Sequence, residues 1–244
     1  YTGIWVISPK RLFTGNWKDE LWLVAGGIFG GSLYFFTENT ALGITQASNV
    51  SFIICTAPLL TTILSLLFYK SEKASKGLIY GSLLALMGVG LIVFNGSFVL
   101  KISPIGDLLT LLAALSWAFY SLIIKKMAGR YPTVFITRKI FFYGVLTILP
   151  AFLLHPLQPD TAVLLQPGVL FNLLFLAVLA SLICYVLWNV VLKQLGTVRA
   201  SNYIYLNPLV TMIASSLILD EKITLVALGG AACIVCGVYW AEKK

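Results

Sequence analysis

Charge is sparse in this sequence: 11% of its 244 residues are charged, against 59% that are hydrophobic. Soluble domains carry about a quarter charged residues, so the composition excludes that class and places the chain in lipid. Histidine is nearly absent, with only His155, beside Pro156; helical zinc motifs of the H-E-x-x-H kind are excluded and a proton relay is not expected. The acidic residues are just as uninformative for catalysis. Asp19, Glu20, Glu72, Asp107, Asp160, Asp220, Glu221 and Glu242 lie between apolar runs or at their ends, so no pair of carboxylates is set for acid–base work. Glu38 alone falls plausibly within a run, close to its end. The cysteines are Cys55, Cys184, Cys233 and Cys236. The C-x-x-C at 233–236 has no second pair, neighbouring histidine or acidic ligand, so all four are expected as small packing residues of buried helices. No metal, no cofactor and no enzymatic centre is expected. The net charge of +8 raises nucleic acid as a partner, but the basic residues cluster in short turns rather than along one face, which excludes it.

What is abundant is long apolar runs. A helix needs about 20 apolar residues to cross the hydrocarbon core, and runs of that kind fall at 20–38, 46–69, 77–97, 105–125, 133–154, 169–192, 200–219 and 224–241. The opening YTGIWVIS reads as the stub of an earlier span, and the chain starts at Tyr1 without a signal-peptide pattern. The expectation is therefore a protein that is N-terminally truncated here. Turns such as SPKRLFTGNWKDE, YKSEKASKG and MAGRYPT hold the charge.

Orientation follows from the lysine and arginine bias of those turns. One side collects Lys10, Arg11 and Lys18, then Lys70, Lys73 and Lys76, then Lys125, Lys126, Arg130, Arg138 and Lys139. Lys193, Arg199, Lys243 and Lys244 join them, which makes 15 of the 17 basic residues. Lys101 and Lys222 remain on the other side. The rich side, with the C-terminus, is predicted to be cytoplasmic.

The chain also repeats itself. QASNVSFIICTAP (46–58) and RASNYIYLNP (199–208) follow Leu-Gly and lead into apolar runs that end in Glu-Lys. Leu42-Gly43 matches Leu195-Gly196, and Ala47-Ser48-Asn49 matches Ala200-Ser201-Asn202, at an offset of 153. Pro58 matches Pro208 at 150, and Glu72-Lys73, Gly81 and Gly88 match Glu221-Lys222, Gly230 and Gly237 at 149. Three helices thus recur, separated by two without partners. A repeat of five helices, an odd number, enters the membrane from the opposite side the second time. The fold class is an all-α polytopic membrane protein with an inverted-topology 5+5 repeat. Ten spans are expected in the whole protein, with eight complete and a stub present here. The repeats are assigned to 1–98 and 104–241.

These features, A-L-x-x-x-x-A-S-N, a mid-run proline, a closing glutamate and a glycine-spaced next helix, together with LSWAFYSLIIKK at 115–126, resemble the EamA-type transporters of the drug/metabolite transporter superfamily. The resemblance covers essentially the whole chain. It implies ten helices, cytoplasmic termini and movement of small metabolites, often amino acids. The first helix, which carries an essential Glu in related small multidrug pumps, is not in this sequence.

A proline inside a helix removes a donor and frees the carbonyl four residues earlier. In lipid that carbonyl belongs against protein or a wet cavity, so Pro58 and Pro208 are predicted to kink helices beside one. Hydroxyls recur three and seven residues beyond each proline, at Thr61 and Ser65 and at Thr211 and Ser215. In the second copy the stripe runs back through Asn207 to Tyr203, a four-residue spacing that keeps one helix face. Asn49 joins the set. Trp117 and Tyr120 share a face of their span, as do Tyr185, Trp188 and Asn189, and can stack on a solute or hold a cation. All are candidates to line a central cavity, with helix–helix adhesion as the alternative for the hydroxyls. Glu38 is the candidate cation or ion contact, with a solvated helix end as the alternative. Gly26-x-x-x-Gly30 and Gly27-x-x-x-Gly31 allow close helix approach.

The function predicted is a carrier moving a small organic metabolite across the cytoplasmic membrane, a bacterial inner membrane, by alternating access, in the direction of export. Its partners are the lipid bilayer and a small-molecule substrate. The competing class is a non-transporting receptor or scaffold, which needs no chemistry.

Overall fold

The computed structural model describes residues 13–69, 75–94, 103–154, 161–218 and 223–243. Outside them lie YTGIWVIS, His155, and the Glu72-Lys73 and Glu221-Lys222 pairs. Every regular element among the described residues is helical. In chain order these are α1 (Trp17–Gly27), α2 (Leu33–Ile44), α3 (Ala47–Ile54), α4 (Ala57–Phe68), α5 (Lys76–Phe94), α6 (Pro104–Ala128) and α7 (Thr133–Leu154). There follow α8 (Thr161–Leu164), α9 (Pro167–Leu174), α10 (Cys184–Leu195), α11 (Thr197–Asn202), α12 (Asn207–Ile218) and α13 (Leu225–Glu242).

Among the described residues six helical stretches are long and apolar enough to cross a membrane: Asn49–Phe68, Lys76–Phe94, Pro104–Ala128, Thr133–Phe152, Pro167–Leu195 and Leu225–Glu242. The other two predicted spans are helical as well. Residues 17–44 run without a gap from α1 through a π stretch, Ile28–Ser32, into α2. Residues 197–218 pass from α11 through one 3₁₀ turn, Tyr203–Leu206, into α12.

The π stretches bear on the repeat. A second one, Phe175–Ile183, joins α9 to α10. At the offset of 153, residues 28–30 coincide with 181–183, so the two stretches overlap. A π turn bonds i to i+5 and occurs mostly as a single insertion in an α-helix, frequently near a functional site.

The chain forms two compact units: residues 1–32 with 123–194, and residues 33–122 with 195–244. In the first, α1 and its π stretch pack along α7. A Cβ on Gly27 would stand 2.6 Å from Cβ of Tyr143, and one on Gly31 3.1 Å from Cα of Gly144. Glycine at these positions is what lets the backbones meet.

In the second unit the most extensive contact is between α5 and α13. A Cβ on Gly81 would lie 2.4 Å from the Gly237 carbonyl oxygen, and one on Gly237 2.5 Å from that of Gly81. Gly88 and Gly230 meet the same way, at 2.5 and 2.7 Å. The helices therefore run antiparallel, and each glycine touches the repeat counterpart of the other. That is the self-complementary contact a twofold axis produces. The adjoining core obeys the same rule. It comprises Cys55, Ala85, Val89, Tyr205, Ile234 and Val238, which pair at offsets of 150 (Cys55 with Tyr205) and 149 (Ala85 with Ile234, Val89 with Val238). The inverted repeat is thus a physical symmetry of this unit.

Two sequence expectations are corrected. Cys184 and Cys236 are exposed and Cys233 is half-buried; only Cys55 is a core residue. Arg138 and Lys139, counted as loop charges, lie in the second turn of α7 and are 1% and 2% exposed. The helix starts before them; Lys139 is buried against Glu20 of α1, described next, and Arg138 lies over the Phe135 ring at 5.2 Å.

Candidate functional site

The first unit has a charged cluster at the start of α1. Asn16 caps the helix, its side chain accepting from the Lys18 amide at 3.1 Å. The helix then presents Asp19 and Glu20 in its first turn, where the positive end of the helix dipole favours them. Asp19, 4% exposed, pairs with Arg130 and accepts the Tyr131 hydroxyl at 2.8 Å. Burial and the Asp19 carboxylate push the Tyr131 phenol above its usual range. Glu20 pairs with Lys139 and accepts the Tyr143 hydroxyl. It also accepts the Thr14 amide at 3.1 Å and hydroxyl at 2.8 Å. Buried charges survive when paired and hydrogen-bonded in this way. Sequence reasoning missed the cluster because its charged residues were counted with the turns. The signal was there in an adjacent basic pair, Arg138-Lys139, inside a predicted span, where ionisable groups need partners.

The same unit holds three sequence candidates on α10. The Tyr185 hydroxyl donates to the carbonyl of Gly30 at 2.8 Å, within the first π stretch, and its ring lies 5.2 Å from that of Phe141. Asn189, 1% exposed, donates through Nδ2 to the Thr137 hydroxyl at 2.8 Å. Trp188 is half-buried. Tyr185 and Asn189 are thus held by internal hydrogen bonds, and the same unit has a Ser32–Thr147 hydroxyl contact at 2.8 Å.

The remaining candidates belong to the second unit. Asn49, Thr61 and Ser65 are buried, and α4, which carries the two hydroxyls, packs on α11. The matching stripe of the second copy behaves differently: Tyr203, Asn207 and Thr211 are exposed. The buried side of that copy holds Ser201, Asn202 and Tyr205 instead, with Asn202 accepting from the Ser82 hydroxyl at 3.4 Å. Four-residue spacing assumes an unbroken α-helix, and the 3₁₀ turn at 203–206 breaks that phase. The side chain of Ser215 lies outside the described set.

At each proline the helix is interrupted. Pro58 sits in the first turn of α4, after a turn at Cys55–Thr56 where the Thr56 hydroxyl donates to the Ile53 carbonyl at 2.6 Å. Pro208 sits in the first turn of α12, directly after the 3₁₀ turn.

Trp117 and Tyr120 come together as their spacing suggests, with ring centroids 5.2 Å apart. The structure adds Tyr34, which sequence reasoning omitted, 5.2 Å from Trp117. The Tyr34 hydroxyl donates to Oε1 of Glu38 at 3.0 Å. The signal was the four-residue spacing of Tyr34 and Glu38, one turn apart on a helix face. Glu38 is also deeper than expected, because α2 continues to Ile44 rather than stopping near 38.

Comparison with known proteins accords with this architecture. A profile of the EamA-like transporter family matches residues 2–94 and 104–241. A protein of Archaeoglobus fulgidus described as an uncharacterized transporter is 28% identical over 242 residues, which is 98% of this chain and 82% of that protein. One of Salmonella typhimurium described as a probable amino-acid metabolite efflux pump is 27% identical, over 96% of this chain and 81% of that protein. Its counterpart in Escherichia coli, described in the same words, is 24% identical over the same shares. A solved crystal structure superimposes with a TM-score of 0.77 at 19% identity, covering 93% of this chain and 76% of that one, a likeness of fold.

Proposed function

The chain belongs to the EamA-like transporter family and is an integral membrane transporter, and from that premise we propose that it exports a small organic metabolite, an amino acid or similar solute, by alternating access. The observation that carries this reading is the paired contact of Gly81 with Gly237 and Gly88 with Gly230. Two copies of one helical unit, inserted in opposite directions and joined by a self-complementary seam, offer two related arrangements around one axis. Alternation between them exposes a site first to one side and then to the other.

Asn49, Trp117 and Tyr120, buried or half-buried in the second unit, are the proposed lining of the solute's route. The exposed stripe of Tyr203, Asn207 and Thr211 contributes where it faces water. No fixed cation of the second unit is buried near these groups among the described residues, so a zwitterionic or neutral amphipathic solute suits them better than a phosphorylated one. The membrane is the cytoplasmic one, and the lysine-rich ends, with the C-terminus, face the cytoplasm.

The test is efflux from sealed proteoliposomes loaded with a radiolabelled amino-acid mixture. Loss of label faster than from protein-free vesicles, and slowed by Trp117→Ala at equal protein incorporation, is the expected result. Retention of all solutes, with normal protein insertion, contradicts the carrier reading and leaves the receptor or scaffold class.

A further inference from the structure

Glu38 is a carboxylate within a helix, six residues before the end of α2. Among the described residues no lysine or arginine pairs with it; its partner is the Tyr34 hydroxyl, on Oε1. Asp19 and Glu20, at the start of α1, each have a cation beside them, and Asp107, in the first turn of α6, accepts from the Ser103 amide. Among the described residues, then, Glu38 within its helix has no counter-charge, and such a group calls for a cation from elsewhere.

Aromatic rings stand where such a cation would sit. Tyr34 leans on Trp117 at 5.2 Å and 49° between ring planes, and Trp117 leans on Tyr120 at 5.2 Å and 43°. The ring planes are tilted against one another instead of stacking flat. Phe35 closes on Tyr34 edge-on, at 5.1 Å and 79°. Tyr120 is fully buried, while Tyr34, Glu38 and Trp117 keep partial exposure, so the group is anchored at one end and open at the other. Ring faces carry negative potential and attract ammonium groups within about 6 Å of their centroids. A carboxylate at the rim adds the full opposing charge. Trp117 lies thirteen residues beyond Pro104 in a helix that ends at Ala128, which places the rings near the middle of a span.

We propose that Glu38, Tyr34, Trp117 and Tyr120 form an ammonium-binding cage that holds the cationic amino group of the transported solute. This rests on the carrier reading and narrows it: the solute carries a protonated or quaternary amine. Tyr34 has a double role, offering a ring face and fixing the carboxylate through its hydroxyl. An amino acid would place its ammonium group here.

The test is calorimetric titration of the purified chain in detergent with benzyltrimethylammonium, and with benzyl alcohol as the uncharged aromatic control. Glu38→Gln is expected to weaken benzyltrimethylammonium about tenfold or more, and to leave benzyl alcohol unchanged. Trp117→Leu is expected to weaken the cation about five- to tenfold, while Trp117→Phe, which keeps a ring face, recovers most of the loss. Unaltered cation affinity in both Glu38→Gln and Trp117→Leu overturns the cage, as does an equal loss for cation and alcohol. The two readings fail separately. Cation binding without efflux from proteoliposomes removes the carrier and keeps the cage. Efflux of amino acids unaffected by Glu38→Gln keeps the carrier and removes the cage.

Discussion

QASNVSFIICTAP and RASNYIYLNP interrupt their helices at the same proline by different means. The first copy ends α3 at Ile54, makes a turn at Cys55–Thr56, and restarts with Pro58 in the new helix. The second has three fewer residues between its asparagine and its proline, and crosses the gap with a 3₁₀ turn. That turn rises about 2.0 Å per residue against about 1.5 Å in an α-helix. Over four residues the shorter copy thereby regains about 2 Å. The same two copies place Cys55 and Tyr205 at equivalent positions in one core. A small and a large side chain share a volume that two equal ones would underfill or overfill. Pseudo-symmetry thus fixes the backbone frame and lets individual positions diverge, provided each pair still packs.

That difference can be broken experimentally, beginning with the largest effect. Tyr205→Ala should cost about 3–5 kcal/mol, as truncating a large buried ring does, whereas Cys55→Ala should cost about 1 kcal/mol. Chemical unfolding in detergent reads both, and equal losses would show that the pair does not divide the core unequally. Next come the glycines. Gly81→Ala and its counterpart Gly230→Ala should each destabilise by about 1–3 kcal/mol through overpacking, and by similar amounts if the seam is truly two-sided. Gly229, with open space where a Cβ would go, should tolerate alanine or gain up to about 1 kcal/mol. A Gly229→Ala loss as large as that at Gly230 would refute the assignment of the seam.

Smaller still is the contrast between the two asparagines of the second copy. Asn202→Ala strands the buried Ser82 hydroxyl and should cost about 1–2 kcal/mol. Asn207→Ala, on the exposed side, should stay within about 0.5 kcal/mol in stability yet slow efflux more than it lowers expression. A loss of efflux in proportion to expression would make Asn207 a packing residue. The effect expected at the prolines is small as well. Pro58→Ala should change stability by no more than about 1 kcal/mol, because the Thr56–Ile53 bonds already hold the break without it.

Much of this was legible in the sequence, for identifiable reasons. Spans are dictated by apolar length, which is local, and the repeat by matching phrases, which needs no geometry. Trp117 and Tyr120 met because three-residue spacing on an unbroken helix is reliable. Where the helix was not regular, spacing left out part of what the structure buries. The Tyr203–Asn207–Thr211 stripe ignored the 3₁₀ turn and passed over Asn202 and Tyr205, the buried face. Boundaries were read short: ending a span at Glu38 put at its end a carboxylate that α2 carries inside the helix. Pairings distant in sequence, Glu20 with Lys139 or Tyr185 with Gly30, leave no local trace beyond the oddity of a polar group in an apolar run.

The central claim is that the two phrases are one helical unit inserted in opposite directions. Single cysteines at Gln46, which opens the first phrase, and at Gln194, five residues before the second, both exposed, in a background with the four native cysteines replaced, test it directly in intact cells with a membrane-impermeant maleimide. The prediction is that Gln46→Cys labels from outside and Gln194→Cys only after permeabilisation. Labelling of both from the same side would contradict it.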